Sequence, residues 1–259
     1  MKTVLLTGGS SGIGKAAVEL FATRGWQVFE LSRHGHSHDG ITHIDCDVCD
    51  EANVSEAVAQ VMEQTDHLDV VISNAGYGIS GAVEFTDMAD AKRQFDVNFF
   101  GALAVTKAVL PILRKQKHGR IVFTSSVAAV LPVPYQSMYS ATKAAINAMA
   151  LALQNEVRSF GIHVSVVMPG DVATNFTAMR QKSIAGEEVY TCAKKAVAAM
   201  ERDEQAGMTP LKIARQIYHV SNAWSPAPQY IGGAMYRLYA VLDRLLPKRL
   251  VNYIEGKIY

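Results

Sequence analysis

The stretch Thr3-Val4-Leu5-Leu6-Thr7-Gly8-Gly9-Ser10-Ser11-Gly12-Ile13-Gly14 decides how the chain is read. An apolar run is followed at once by four glycines, and then by a segment of helical period from Ile13 to about Arg24. Glycine is costly to order and has no side chain to pack. Its clustering between a strand and a helix therefore implies that something approaches the backbone closely. In a parallel sheet, a turn between the first strand and the first helix puts backbone N–H groups and the helix N-terminus where a pyrophosphate sits. Gly8, Ser10, Ser11, Gly12, Ile13 and Gly14 are therefore expected to hold a dinucleotide, although the spacing Gly8-x-x-x-Gly12-x-Gly14 differs from GxGxxG.

Outward from this turn, short β-rich runs alternate with longer helical segments. Strands are expected at Gln27–Ser32, His43–Asp47, Leu68–Ala75, Arg120–Ser126 and His163–Met168. Helices are expected near Glu51–Gln64, over a long stretch ending before His118, and from about Ser137 to Phe160. Runs such as Val70-Val71-Ile72 are apolar throughout, as strands covered on both faces are. Gly119 and Gly161 stand where helix C-caps are expected. The pattern predicts an α/β fold of Rossmann type, a doubly wound parallel sheet in three layers, forming one domain over residues 1–259. Within it, residues 1–174 form the cofactor-binding and catalytic core, 175–208 a lid, and 236–259 a tail. Thr209-Pro210 reads as the start of a further helix, with Thr209 as N-cap.

The 25 Lys+Arg against 24 Asp+Glu give a formal charge of +1, so no long-range field draws the chain to nucleic acid or to a membrane. Three cysteines fit a reducing compartment, and the cytoplasm is expected. Met1-Lys2 is read as a mature N-terminus, because the short apolar run meets glycines instead of a cleavage site. No uncharged apolar stretch reaches the roughly 18 to 20 residues of a membrane span. Cys46-x-x-Cys49 has one further cysteine, Cys192, to join it, and His34, His36 and His38 sit in a polar loop with His43 nearby. No metal site is expected.

TGGSSGIG, with Ser73-Asn74-Ala75-Gly76, Ser126, Tyr139-Ser140-Ala141-Thr142-Lys143 and Pro169-Gly170, resembles the short-chain dehydrogenase/reductase family, loosely its steroid and retinol branch. The match covers about residues 1 to 175 in the right order, with Ser73 where the family usually has asparagine. It implies an oxidoreductase that moves a hydride between a nicotinamide and a carbonyl or carbinol carbon.

NADP(H) is the expected cofactor. An acid near the ribose 2′-hydroxyl selects NAD, whereas a 2′-phosphate needs a cation, and the second strand ends in Ser32-Arg33. Glu30 stands two residues before the expected acid position, which is Ser32. The resemblance implies that Asp47 and Val48 contact adenine, that Asn74, Ala75 and Gly76 line the ribose, and that Pro169, Gly170, Val172 and Thr174 approach the nicotinamide. Asp47 also reads as an acid closing its strand's turn.

Tyr139 and Lys143 are four apart in a helical segment, so they share a face and the ammonium is expected to lower the phenol's pKa. Ser126, thirteen residues before Tyr139, supplies a donor to the substrate oxygen, with Ser125 as its competitor. The resemblance implies that Lys143 also binds the nicotinamide ribose and that an asparagine carbonyl at Asn98 helps hold a water beside it. The substrate is expected to be an apolar ketone or aldehyde of steroid, retinoid or lipid type, held under a lid lined by Phe176, Met179, Ile184, Val189 and Tyr190. A homodimer or homotetramer is implied. The tail's apolar stripe is expected to pack on protein in preference to a membrane. Two other classes stay open, a non-catalytic NADP(H)-binding sensor or scaffold and an epimerase or dehydratase.

Overall fold

The computed structural model describes residues 1–183 and 185–258. Strands β1 (Thr3–Thr7), β2 (Gln27–Ser32), β3 (Ile41–Asp45), β4 (Val70–Ser73), β5 (Ile79–Ser80), β6 (Gly119–Thr124), β7 (Ile162–Pro169), β8 (Gln181–Lys182) and β9 (Gln229–Gly232) occur in chain order. Helices α1 (Gly12–Thr23), α2 (Glu51–Met62), α3 (Met88–Phe95), α4 (Gly101–Gln116), α5 (Ser137–Val157), α6 (Phe176–Met179), α7 (Ala193–Gln205), α8 (Pro210–Asn222), α9 (Ala234–Leu245) and α10 (Lys248–Ile258) separate them. Seven strands form one parallel sheet in the order β3-β2-β1-β4-β6-β7-β9. The order reverses beside β1, and ligands of such sheets bind at that point, outside the carboxyl ends of the strands.

Alternation along each strand feeds two cores. Leu5, Phe29, Val71 and Phe123 pack on one face against Val54 and Val58 of α2, Val109 and Leu113 of α4, and Ile146 of α5. Val4, Leu6, Val28 and Ile72 face the other way, onto Val18 and Phe21 of α1 and Ile213 and Ile217 of α8. Phe21 meets Trp26 edge to face, with centroids 4.9 Å apart, and tilts against Tyr218 at 5.0 Å. The continuous helix Met88–Gln116 is long and apolar enough by composition to cross a membrane, yet its Val105, Val109 and Leu113 are buried under the sheet.

Several boundaries differ from the sequence reading. β3 begins at Ile41, two residues before the expected His43, because Ile41 supplies the buried position. β6 stops at Thr124, and Ser126 starts a short 3₁₀ turn, Val127–Ala129. Gly161 closes a helical end in the left-handed region, at φ 71°. Gly119 does not, because Lys117 takes that conformation at φ 57° and Gly119 opens β6 against the Leu113 side chain. Thr209 is the extended N-cap of α8 with Pro210 at its start, but its side chain makes no capping bond. The short parallel pair β5–β8 had no periodicity to announce it.

Candidate active site

The glycine turn joins β1 to α1 at the sheet's reversal point. Gly8 and Gly12 have φ of +71° and +54°, and a Cβ on Gly14 would lie 2.0 Å from the Gly8 carbonyl oxygen. Side chains are thus kept off the N-terminus of α1, whose N-cap Ser11 makes no side-chain capping bond. Asn74 fastens the turn to β4, donating from Nδ2 to the carbonyls of Thr7 and Gly8 at 3.2 and 3.1 Å.

This turn is one end of a cleft of about 1270 Å³. Gly8, Ser10, Ser11, Gly12, Ile13, Arg33, Asp47, Val48, Asn74, Ala75, Gly76, Ser126, Tyr139, Lys143, Pro169, Gly170, Val172 and Thr174 all line it. Gly14 and Asn98 lie behind the wall, supporting it. The bare helix N-terminus, the exposed Arg33 and the length of the cleft fit a dinucleotide.

Glu30 is buried and committed to the fold. Its Oε1 accepts from Gly9 N at 2.8 Å, and its Oε2 faces His43 Nδ1 at 2.5 Å and accepts from Ser32 Oγ at 3.2 Å. Ser32 and Arg33 are left lining the cleft at the glycine-turn end, and Arg33 has no carboxylate partner within salt-bridge distance among the described residues. Asp47 does close its turn, accepting from Cys49 N at 3.0 Å, while also lining the cleft. His34, His36 and His38 are exposed, and His43, in β3, belongs to the Glu30 network instead.

At the far end, Ser126 accepts from Ala128 N at 3.1 Å and hydrogen-bonds to the Tyr139 phenol. Ser125 turns away and donates to the Lys143 carbonyl at 3.2 Å. Lys143 Nζ donates to the Thr124 carbonyl at 3.0 Å and lies 5.7 Å from the Tyr139 ring centroid. Burial pushes Tyr139 up to about 12, with the Ser126 hydrogen bond pulling the other way, and brings Lys143 down to about 8. The expected lowering of the phenol's pKa by Lys143 is not found: desolvation raises it, and the groups that pull it down are Ser126 and Arg180.

Asn98 is fully buried, in a π-helical turn, Asp96–Phe100, between α3 and α4. Its Oδ1 accepts from Tyr77 N at 3.0 Å, and its Nδ2 donates to Tyr77 O and Thr142 Oγ1, each at 3.0 Å. Of the expected lid residues, Phe176 and Met179 line the cleft and the Phe176 ring stands 5.4 Å from that of Tyr139. Val189 and Tyr190 lie off it, Tyr190 donating to Glu84 at 2.8 Å, and Ile184 lies outside the described residues.

Sequence reasoning missed a polar cluster beside the phenol. Arg180, buried behind Phe176, pairs with Glu204, and Glu204 accepts from Thr177 Oγ1 at 2.6 Å. The Gln136 amide oxygen, turned toward Arg180, accepts from its Nε and Nη2 at 3.2 and 3.0 Å. Tyr236 of α9 donates to Asp171, whose carboxyl is raised chiefly by burial. These residues come from separate elements and no spacing marks them.

A family model described as short chain dehydrogenase matches residues 2–185. A 3-ketodihydrosphingosine reductase of Bacteroides thetaiotaomicron is 34% identical over 255 residues, covering 96% of this chain and 95% of that protein. A solved short-chain dehydrogenase from Streptomyces avermitilis superposes with a TM-score of 0.84 at 29% identity, covering 94% of this chain and 93% of that one. The structure of ElxO with NADP bound superposes at 0.75 with 25% identity, covering 90% and 98%.

Proposed function

The chain belongs to the short-chain dehydrogenase family, and on that premise we propose that it is an NADP(H)-dependent oxidoreductase that reduces an apolar ketone or aldehyde to the alcohol. The observation that carries this reading is one cleft with the glycine turn and Arg33 at one end and Ser126, Tyr139 and Lys143 at the other. The nicotinamide, when bound, supplies the hydride. Ser126 donates to the carbonyl oxygen and polarises it, and Tyr139 gives that oxygen its proton. Lys143, as a cation, stabilises the phenolate left behind and binds the nicotinamide ribose. Asn98 acts at one remove, fixing Tyr77 and Thr142 around the lysine's helix.

Support for NADP(H) comes from Ser32-Arg33 at the ribose end and from the fixed, inward Glu30. The NADP in ElxO points to the same cofactor, and the 3-ketodihydrosphingosine named for the Bacteroides relative points to a ketone substrate. Phe176, Met179, Leu242, Leu246, Val251 and Ile254 supply an apolar lining for the substrate. Residues 175–208 serve as the lid, held together by the Arg180–Glu204 pair and joined to the body by β5–β8 pairing and the Gln136–Arg180 contact. The chain works as a homodimer through the α4–α5 side, where Phe100, Leu151 and Phe160 are exposed, and it works from the cytoplasm, in keeping with its three free cysteines.

Fluorescence titration with NADPH and NADH, repeated on Arg33→Ala, tests the cofactor. Wild type is expected to prefer NADPH, and the variant to lose the preference by about tenfold or more. A panel of ketones and aldehydes follows, with Tyr139→Phe expected to bind cofactor normally and to lose at least about 10²-fold in turnover. Equal NADH affinity in wild type overturns the cofactor reading, and unchanged turnover in Tyr139→Phe overturns the mechanism.

A further inference from the structure

Helices α9 and α10 turn apolar side chains toward solvent. On α9, Tyr236, Ala240 and Asp243 form the inner side. At about 100° per residue, Leu238, Val241 and Leu245 share the opposite side. They are 50%, 52% and 74% exposed, against 8% for Ala240. On α10, Leu250 and Tyr253 are exposed as well, at 44% and 64%. An amphipathic helix of a folded protein normally buries its apolar stripe, so an outward stripe on two successive helices marks a contact surface.

Charge identifies what fits it. Arg237, Arg244, Lys248, Arg249 and Lys257 are all exposed on these two helices. Their two acids are drawn inward: Asp243 is held by Lys248 at 2.5 Å with 11% of its side chain exposed, and Glu255 lines the cleft. Among the described residues of the two helices, every exposed charged side chain is thus a cation, in a chain whose formal charge is +1. A second copy docked on the same face would set cations against cations. A bilayer with anionic headgroups satisfies both features, taking the leucines to the acyl boundary and the cations to the phosphates.

We propose that α9 and α10 form a docking surface for an anionic phospholipid bilayer. The docking stands on the exposed face and is independent of the catalytic reading. One consequence rests on that reading: Leu242, Leu246, Val251 and Ile254 line the cleft from the same two helices, so an apolar carbonyl compound leaving the bilayer enters beside the docked face.

The test is flotation of the full chain with vesicles of phosphatidylcholine alone and with about one third phosphatidylglycerol. Wild type is expected to float with the anionic vesicles, and less so as salt rises. Leu238→Ser with Leu245→Ser is expected to weaken partition about tenfold or more. Arg237→Gln with Arg244→Gln is expected to weaken it about fivefold per cation removed. None of these four side chains lines the cleft, and the arginine pair keeps the test readable should the leucine pair misfold by circular dichroism. Failure of wild type to float with either vesicle, or equal partition of wild type and the folded variants, overturns the proposal. A self-associated species that the leucine variant dissociates, with no flotation, assigns the face to a second copy and overturns it too. Turnover does not enter the readout, so an inactive enzyme that floats refutes the function alone, and an active enzyme that does not refutes the docking alone.

Discussion

Lys143 is held where an ammonium is costly: it is 4% exposed, with a carbonyl oxygen as its hydrogen-bond partner and no carboxylate in salt-bridge distance among the described residues. Burial lowers its pKa from 10.5 to about 8, so between those values the folded chain binds fewer protons than the unfolded one. Stability of the protein without cofactor therefore rises with pH through that window, and at neutral pH the charged lysine is a burden on the fold. Lys143→Met is expected to raise unfolding stability at neutral pH by about 1–2 kcal/mol, after allowance for the lost bond to Thr124, while abolishing turnover. Urea denaturation alongside an activity assay checks it, and a destabilised variant contradicts the account. The same titration predicts the rate profile. Tyr139, raised to about 12, keeps its proton for carbonyl reduction across neutral pH. Above about pH 8 the loss of the Lys143 charge removes the support for the phenolate, so kcat/KM for reduction falls there. A profile still flat about two units higher counts against Lys143 as the electrostatic partner.

At the scale of elements, the π turn between α3 and α4 places Asn98. Its five residues insert extra backbone into an otherwise continuous helix. Such bulges re-aim a side chain at a small cost in helix geometry. Asn98→Ala leaves the Tyr77 backbone and the Thr142 hydroxyl short of partners, and about 2–4 kcal/mol of stability is expected to go with it. A loss under about 0.5 kcal/mol in urea denaturation would show that water replaces the amide. The turn before α1 is stricter. Gly14→Ala sets a methyl carbon 2.0 Å from the Gly8 oxygen and 2.6 Å from Asn74 Nδ2, and is expected to abolish dinucleotide binding by titration. Retained binding would mean that the turn opens freely.

Over the whole molecule, the two cores share one sheet, and strand alternation ties each strand to both. Heat unfolding is accordingly expected to be a single cooperative transition, as for one domain of residues 1–259. Separate melting of the lid or of α9 and α10 in calorimetry would refute it. NADPH at about 100 times its Kd is expected to stabilise the fold by about 2.7 kcal/mol, and NADH at the same concentration by less. An equal shift from both contradicts the role given to Arg33.

What the sequence determined by itself was local in origin. The apolar runs of β1 and β4, the helical period after Ile13 and the four glycines that follow β1 are properties of neighbouring residues, and they name a doubly wound sheet with a dinucleotide turn. The four-residue step from Tyr139 to Lys143 is local too, and the helix carries both to the cleft. Tertiary structure decided the matters that depend on distant partners. Asn98 lies in a helix whose pattern would leave it at the surface, and contacts with Tyr77 and Thr142 bury it. Arg180 and Glu204 are 24 residues apart, and nothing in their spacing announces an ion pair behind Phe176. The tail is the plainest case. Its periodicity reveals an apolar stripe, but a stripe has no sign. Which side meets the protein is set by where β9 delivers α9, and here Ala240 and Tyr236 turn inward while Leu238, Val241 and Leu245 are left outside. Periodicity measures the asymmetry of a helix; only its neighbours determine which face is covered.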